Sequence, residues 1–416
     1  MKVLVLGSGA REHAIAVKFA KSSSVEKVVV SPGNGGIERD FECIDLATFP
    51  EISEYVRANN IDLVFIGPEQ ALSEGIVDYL AQEGITAIGP SKAASRIESS
   101  KAFAKDLMQR YNVPTAKYQV FSDYEQALAY ISKCDYPLVF KADGLAAGKG
   151  VVIVEDQASG QKELKEFMLD SKFGQAGDKL VIEEFLEGWE TSVFAFCDGE
   201  NFVTTIFSMD HKQLEAGDKG PNTGGMGAIA PIIEAEKYRY DIERDVFKPI
   251  LKALSDSGCP FSGVLYCGLM ITKEGPKVIE FNCRFGDPET QVVLPLLKTD
   301  FVEVCQAIAD KSVNKLQLSW QDKFAINIVC ASQGYPGKYE KNKVIEVHDI
   351  DKDSQVYYAG VKKSEGKLLT NGGRVLGITS LGYDRDELIH RAYSLVENIF
   401  FQGKVIRTDI GMRPQK

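Results

Sequence analysis

Val3-Leu4-Val5-Leu6-Gly7-Ser8-Gly9-Ala10-Arg11-Glu12 decides the fold of the first hundred residues. Four consecutive apolar residues ended by glycine predict a strand buried on both faces, and the spacing from Arg11 to Lys21 predicts a helix. The pattern then repeats. Val28-Val29-Val30 is a second strand, closed by the turn residues Ser31-Pro32-Gly33-Asn34-Gly35-Gly36. Asp62-Leu63-Val64-Phe65-Ile66-Gly67 and Thr86-Ala87-Ile88-Gly89 are two more, and helical patterns separate these last strands from one another and from the second. Repeated β-α with short apolar strands predicts a parallel sheet in an open α/β domain. Such sheets bind ligands at the carboxyl ends of their strands, where these glycine clusters lie.

Beyond residue 91 the texture changes. Residues 92–111 read as one or two helices, ended by Asn112 and Pro114. Strand-like stretches follow at 138–142, 151–154, 180–185, 192–196, 202–207, 264–271 and 277–281, with glycine-bearing loops at 143–150 and 217–228. A helix-like run spans 290–311. From about 324 the chain is rich in β-branched residues and turns, and it closes with a helix near 384–401. The fold class expected is a multidomain mixture of α/β and α+β. It comprises an open parallel α/β (Rossmann-like) domain over 1–100, an α+β body over 101–320 and a small β-rich domain over 321–416.

The 416 residues carry 48 Lys+Arg against 59 Asp+Glu, a net charge of −11. A surface that acidic repels a phosphate backbone, so no nucleic-acid partner is expected. No stretch approaches the roughly 18–20 apolar residues of a membrane span, and the short apolar run near Val3 reads as a strand, not a signal peptide. The eight cysteines are scattered without C-x-x-C spacing, and several sit in apolar segments. That pattern fits reduced thiols of a cytoplasmic protein. The four histidines (13, 211, 348 and 390) are far apart in sequence, which argues against histidine-rich metal chemistry.

Three motifs carry the chemistry. At Gly7-Ser8-Gly9-Ala10-Arg11-Glu12 a glycine turn opens a helix, whose N–H groups favour an anion. A nicotinamide fingerprint needs glycine where Glu12 stands and an acidic residue at the end of the second strand, where Ser31-Pro32-Gly33 occurs, so both tests fail. A phosphate-carrying substrate beside Arg11 and a tight packing turn remain as readings. At Lys141-Ala142-Asp143-Gly144-Leu145-Ala146-Ala147-Gly148-Lys149-Gly150 the spacing is not that of a Walker loop. It suits a hairpin whose N–H groups lie over polyphosphate, with Lys141 as a fixed charge at its base; the alternative is a mobile surface hairpin.

In Val278-Ile279-Glu280-Phe281-Asn282-Cys283-Arg284, strand alternation puts Glu280 and Asn282 on one face, and Ile279, Phe281 and Cys283 in apolar packing. A carboxylate and an amide oxygen side by side suit Mg²⁺, which recruits phosphate oxygens and water. Arg284, Asp287 and Glu289 add charge at the strand end; the alternative is an exposed polar strand face. Two further segments stay open. Glu183-Glu184-Phe185-Leu186-Glu187-Gly188-Trp189-Glu190 could hold a base and ribose or be an acidic turn. Gly220-Pro221-Asn222-Thr223-Gly224-Gly225-Met226-Gly227, just after Asp210-His211-Lys212, permits close backbone approach to a ligand or is simply disordered.

Taken together these motifs resemble the ATP-grasp ligases, and within them the group that joins glycine to 5-phosphoribosylamine. The likeness runs over essentially the whole chain, through GSGAREHA, SPGNGG, IGPE, ESSKAF, KADGLAAGKGVV, EEFLEG, DHK, GPNTGGMGA, EFNCRFGDPETQ and NGGRVLGIT. One departure is GSGAR, where many relatives read GNGGR. The resemblance implies an N-terminal pre-ATP-grasp domain, an ATP-grasp body of two subdomains and a C-terminal domain, with ATP and Mg²⁺ or Mn²⁺ bound. It implies that Lys101, Lys141, Gly144, Gly148, Lys149 and Gly150 meet the phosphates, that Glu183, Glu184 and Leu186 meet the adenine, and that Glu190 takes the ribose. Glu280 and Asn282 would hold the metal, and Lys141, Arg284 and Asp287 would be catalytic.

Substrates would face Gly9, Arg11, Asp210, Lys212, Asn222, Thr223, Gly224, Gly225, Met226, Arg284, Gly286, Asp287 and Arg374. The implied reaction, a step of purine biosynthesis, passes through a glycyl phosphate in a cytoplasmic monomer, with the closed glycine loop excluding water. Two readings from other classes are weaker. A nicotinamide oxidoreductase lacks its fingerprint, and a degenerate binding module would lack the lysines or the Glu280–Asn282 pair. An ATP-grasp ligase for another acid or amine is opposed only by the substrate-side motifs RFGDPET and GPNTGGMGA.

Overall fold

The computed structural model describes residues 1–145, 150–170 and 174–412. Its first domain is a five-stranded sheet in the order Glu42–Cys43, Lys27–Pro32, Lys2–Gly7, Leu63–Ile66, Ala87–Ile88, and every pairing is parallel. The chain reverses its direction of travel across the sheet between Lys2–Gly7 and Leu63–Ile66, which makes a crevice at the carboxyl end of the first strand.

Two helices follow where 92–111 was read. Lys92–Ser99 and Lys101–Arg110 meet at Ser100, whose extended backbone ends the first and whose hydroxyl caps Phe103 N of the second. A similar break divides 290–311 into Thr290–Leu296, which contains Pro295, and Phe301–Ala309, capped by Asp300.

The body has two antiparallel sheets. The smaller runs Tyr118–Phe121, Leu180–Glu184, Leu138–Ala142, Val151–Val154 and packs helices Tyr124–Ile131 and Gln157–Met168 over an apolar core of its own. The larger runs Phe202–Thr204, Trp189–Asp198, Ser262–Thr272, Gly275–Asn282. In its last pairing Gly268 faces Glu280 but Leu269 faces Val278, so Ile279 is the extra residue of a bulge. The bulge resets the alternation. Phe281 and Cys283 are buried as expected, whereas Ile279 lines the cleft instead of the core.

The third domain centres on the sheet Met209–Asp210, Gly227–Ala230, Phe324–Ser332, Arg374–Gly382, Ser354–Tyr358, backed by helix Arg385–Val396. Its first two strands come from the middle of the chain: Gly227–Ala230 pairs with Phe324–Ser332. The third domain also docks on the first. Buried His13 accepts from Tyr358 N (3.0 Å) through Nδ1 and faces Asp40 (3.1 Å) through Nε2.

Candidate active site

Where the domains meet lies a cleft of about 440 Å³. A second, more open depression on the first domain, around Phe49, Tyr79 and Arg96, shares none of its lining residues. One end of the cleft is apolar, with Val139, Ile153, Phe185, Leu186 and Met270 in its walls. Ile153 and Phe185 are each 38% exposed. The other end is charged.

Lys141, at the end of its strand, is 5% exposed. It donates to Ile279 O (3.1 Å) and lies 2.9 Å from Glu183 Oε1, a charge contact that leaves this oxygen without a well-aligned donor. Lys105 stands 2.9 Å from the other Glu183 oxygen. Lys101 reaches the carbonyl of Gly144 (3.4 Å), while Asp143 caps the helix that carries it through Ala102 N (2.7 Å) and Ser100 Oγ (3.1 Å).

Glu280 faces this group. Burial raises its pKa, but Lys212, Lys141, Lys101 and Arg284 outweigh that cost and hold the carboxyl below its ordinary value. Asn282 lies on the same face, and with its amide nitrogen turned to Phe281 O (3.1 Å) and Glu98 Oε1 (3.3 Å) both groups are satisfied. Among the described residues no three His, Cys, Asp or Glu side chains form a ready metal cage. An ionised carboxylate beside one amide fits a hard cation that takes its other ligands from phosphate and water. Nearby, burial pushes Asp210 up to about 8, resisted by Lys212 and reinforced by Glu289, Glu190 and Glu280. Lys212 stays charged, its burial overcome by Glu190, 2.9 Å away, and Asp210.

Arg284 is gripped from the first domain by Glu98 (2.5 Å) and Glu69 (3.2 Å). Arg11 joins them, donating to Glu12 (2.6 Å) and Phe285 O (3.1 Å), 3.7 Å from Glu69. Against the cost of burial, the two arginines hold Glu69 down at about 2. Arg374 arrives from the third domain. It donates to Gly224 O (2.5 Å), Asp287 O (2.7 Å) and Asp287 Oδ2 (3.0 Å), and Gln291 holds the other oxygen of Asp287 (2.7 Å).

Most residues expected at the site therefore converge. Lys101, Lys141, Gly150, Glu183, Glu184, Leu186, Glu190, Asp210, Lys212, Asn222, Thr223, Gly224, Glu280, Asn282, Arg284, Gly286, Asp287, Arg374 and Arg11 line the cleft. Gly148 and Lys149 lie outside the described residues.

Four positions differ from expectation. Gly144 is not part of the cleft lining, although its carbonyl accepts from Lys101 (3.4 Å). The Met226 side chain is fully buried in the third core, so that residue offers only backbone. Gly225, at φ +107°, packs where a β-carbon would strike Pro288, and its N–H bonds Thr223 Oγ1 (2.9 Å). Gly9 N already donates to Glu12 Oε2 (2.7 Å), and a β-carbon on Gly7, Gly9 or Gly67 would run into the Glu12 side chain. The anion at this helix start is thus the chain's own carboxylate, and of the two readings of that turn the geometry favours packing. Glu at the third helical position after Gly9 is the signal that identifies it in sequence.

Against known families, residues 1–98, 99–290 and 325–413 match in turn the N, ATP-grasp (A) and C domains of phosphoribosylglycinamide synthetase. The chain belongs to this family. A phosphoribosylamine–glycine ligase of Caldanaerobacter subterraneus is 47% identical over 413 residues, covering 99% of both chains. The crystal structure of the phosphoribosylamine–glycine ligase of Thermotoga maritima superposes with a TM-score of 0.87 at 34% identity, covering 99% of this chain and all of that one. The biotin carboxylase domain of Hydrogenobacter thermophilus 2-oxoglutarate carboxylase, a complex with MgADP and bicarbonate, shares the fold at a TM-score of 0.72 and 18% identity, covering 97% and 91%. Glu69, Glu98, Lys105 and Gln291 were not singled out from sequence, although the family motifs IGPE, ESSKAF and DPETQ contain three of them.

Proposed function

We infer that the cleft activates glycine as a glycyl phosphate. The chain is an ATP-dependent ligase that joins glycine to 5-phosphoribosylamine, giving glycinamide ribonucleotide, ADP and phosphate in purine biosynthesis. In the route proposed, a glycine carboxylate oxygen attacks the γ-phosphorus and ADP leaves. The amine nitrogen then attacks the acyl carbon, the bond to phosphate breaks, and the nitrogen loses a proton. A carboxylate nucleophile needs no activating base, so positioning and charge carry the rate.

Each group has a place in this scheme. Lys101 and Lys141 take phosphate oxygens, as would Gly144, Gly150 and the undescribed Gly148 and Lys149. The apolar walls with the Glu184–Leu186 backbone take the base, and Glu190 the ribose; Glu183, expected at the adenine, instead has its two oxygens 2.9 Å from Lys141 and Lys105. Glu280 and Asn282 would hold Mg²⁺ or Mn²⁺, which neutralises phosphate charge when bound. Arg284 and Asp287 meet the reacting carboxylate and amine. Asp210, Lys212, the 222–225 backbone, Gly286, Arg11 and Arg374 shape the substrate end.

The observation that carries this reading is the half-buried carboxylate of Glu280 at a strand end, beside the Asn282 amide in the cleft lining and held below its ordinary value by four cations against the cost of burial. Purified protein should release ADP only with glycine, phosphoribosylamine and a divalent cation together. Turnover with another amino acid and none with glycine would overturn it. Glu280→Ala should abolish turnover while the thermal transition survives, because that side chain supports no apolar packing.

The eight cysteines are all free, and no described helix is long and apolar enough to cross a membrane; we place the enzyme in the cytoplasm. We take the enzyme as a monomer, divided at about residues 100 and 320. Light scattering tests the first point and limited proteolysis the second.

A further inference from the structure

We propose that Lys105 is a positioning residue: by occupying one oxygen of Glu183, it leaves Lys141 with charge to give to an anion in the cleft. Lys105 follows Lys101 by one helical turn on Lys101–Arg110, so both point to the same side. It is 2% exposed, with its ammonium 2.9 Å from Glu183 Oε2 and 5.6 Å from the centre of the Tyr118 ring. It donates to Thr115 Oγ1 (2.8 Å), and that hydroxyl donates to Val278 O (2.6 Å).

Lys141 donates to the next carbonyl, Ile279 O. The two lysines therefore share one carboxylate and, through Thr115, anchor to successive carbonyls at the bulge just before Glu280. Without Lys105, buried Glu183 would pair one-to-one with Lys141. A matched buried pair attracts a third charge weakly, whereas two cations around one anion keep a net positive charge in a medium that screens poorly.

The inference rests on reading the cleft as the nucleotide site, but its test reads binding, not ligation. Calorimetry of ATP with Mg²⁺ should show Lys105→Met binding about tenfold or more weakly than wild type, and kinetics should put the loss mainly on KM for ATP. Lys105→Arg should recover most of the affinity. The discriminating variant is Lys105→Met with Glu183→Gln: removing the carboxylate releases Lys141 and should restore binding, an improvement that a merely structural role does not predict. Lys105→Gln, which keeps a hydrogen bond to Thr115, gives the same information should the methionine variant not fold.

Wild-type affinity in Lys105→Met, or a double variant no tighter than the single, overturns the proposal. Normal ATP binding by the wild type without glycine ligation would instead sink the functional reading and leave this charge relationship standing.

Discussion

Glu98 Oε1 lies 2.5 Å from Nη2 of Arg284, and Glu98 Oε2 takes the N–H of Cys283 at 2.7 Å. One carboxylate of the first domain thereby fixes both the backbone and the guanidinium that open the turn 284–289. Glu98→Gln keeps the shape but places an amide nitrogen against one of these donors. Its kcat should fall about 10- to 100-fold with KM for ATP little changed, measured by ADP release under saturating glycine. An unaltered kcat would show that Arg284 finds its place unaided.

Arg374 binds Gly224 O, Asp287 O and Asp287 Oδ2 with the two terminal nitrogens of a planar fork. Lysine cannot reproduce that geometry. Both Arg374→Ala and Arg374→Lys should therefore raise KM for phosphoribosylamine by about tenfold or more, and recovery in the lysine variant would count against the fork.

His211 supplies a pH signature. Burial, then the nearby Arg407, push it down to about 4, and its Nδ1 has no hydrogen-bond partner among the described residues. Its folded value lies below the unfolded one, so the unfolded chain binds more protons between about pH 4 and 6.5. Stability should rise with pH through that window and be lost on acidification. The contribution is about 3 kcal/mol. Urea midpoints compared between wild type and His211→Gln across that range should show a shallower slope in the variant.

Cys283→Ser should retain activity. The thiol is 1% exposed, and burial pushes it well above its ordinary value, so it is a poor nucleophile. The expected cost is stability, about 1–2 kcal/mol for a hydroxyl in apolar packing, read from the denaturation midpoint. Complete loss of turnover with an intact fold would reopen a chemical role.

Much of this architecture is visible in the chain itself. Continuous apolar runs such as Val3–Leu6 mark the parallel sheet because both faces are buried, whereas the runs 92–111 and 290–311 hide helix breaks at Ser100 and Asp300, whose oxygens cap free N–H groups. Other features follow from distant contacts that no local pattern encodes. Alternation cannot reveal that Ile279 is extra, since the bulge depends on how Gly275–Asn282 pairs with its neighbour. Glu69, Glu98 and Lys105 lie in helical patterns where a charged residue ordinarily faces water; only the assembled domains turn them inward. The glycine turn at Gly7–Gly9 is different, because its filling is local: Glu12, three residues after Gly9, closes it.

The pairing of Gly227–Ala230 with Phe324–Ser332 reaches beyond catalysis. It stitches the chain's later portion into its centre, so the last hundred residues are no detachable appendix. A fragment stopping near residue 320 would bare the edge of a strand whose four residues are all buried, an invitation to pair with another copy. A swapped rear segment must therefore bring a strand that fits its host, and the front is no freer, because its strands and first helix share apolar cores with the body.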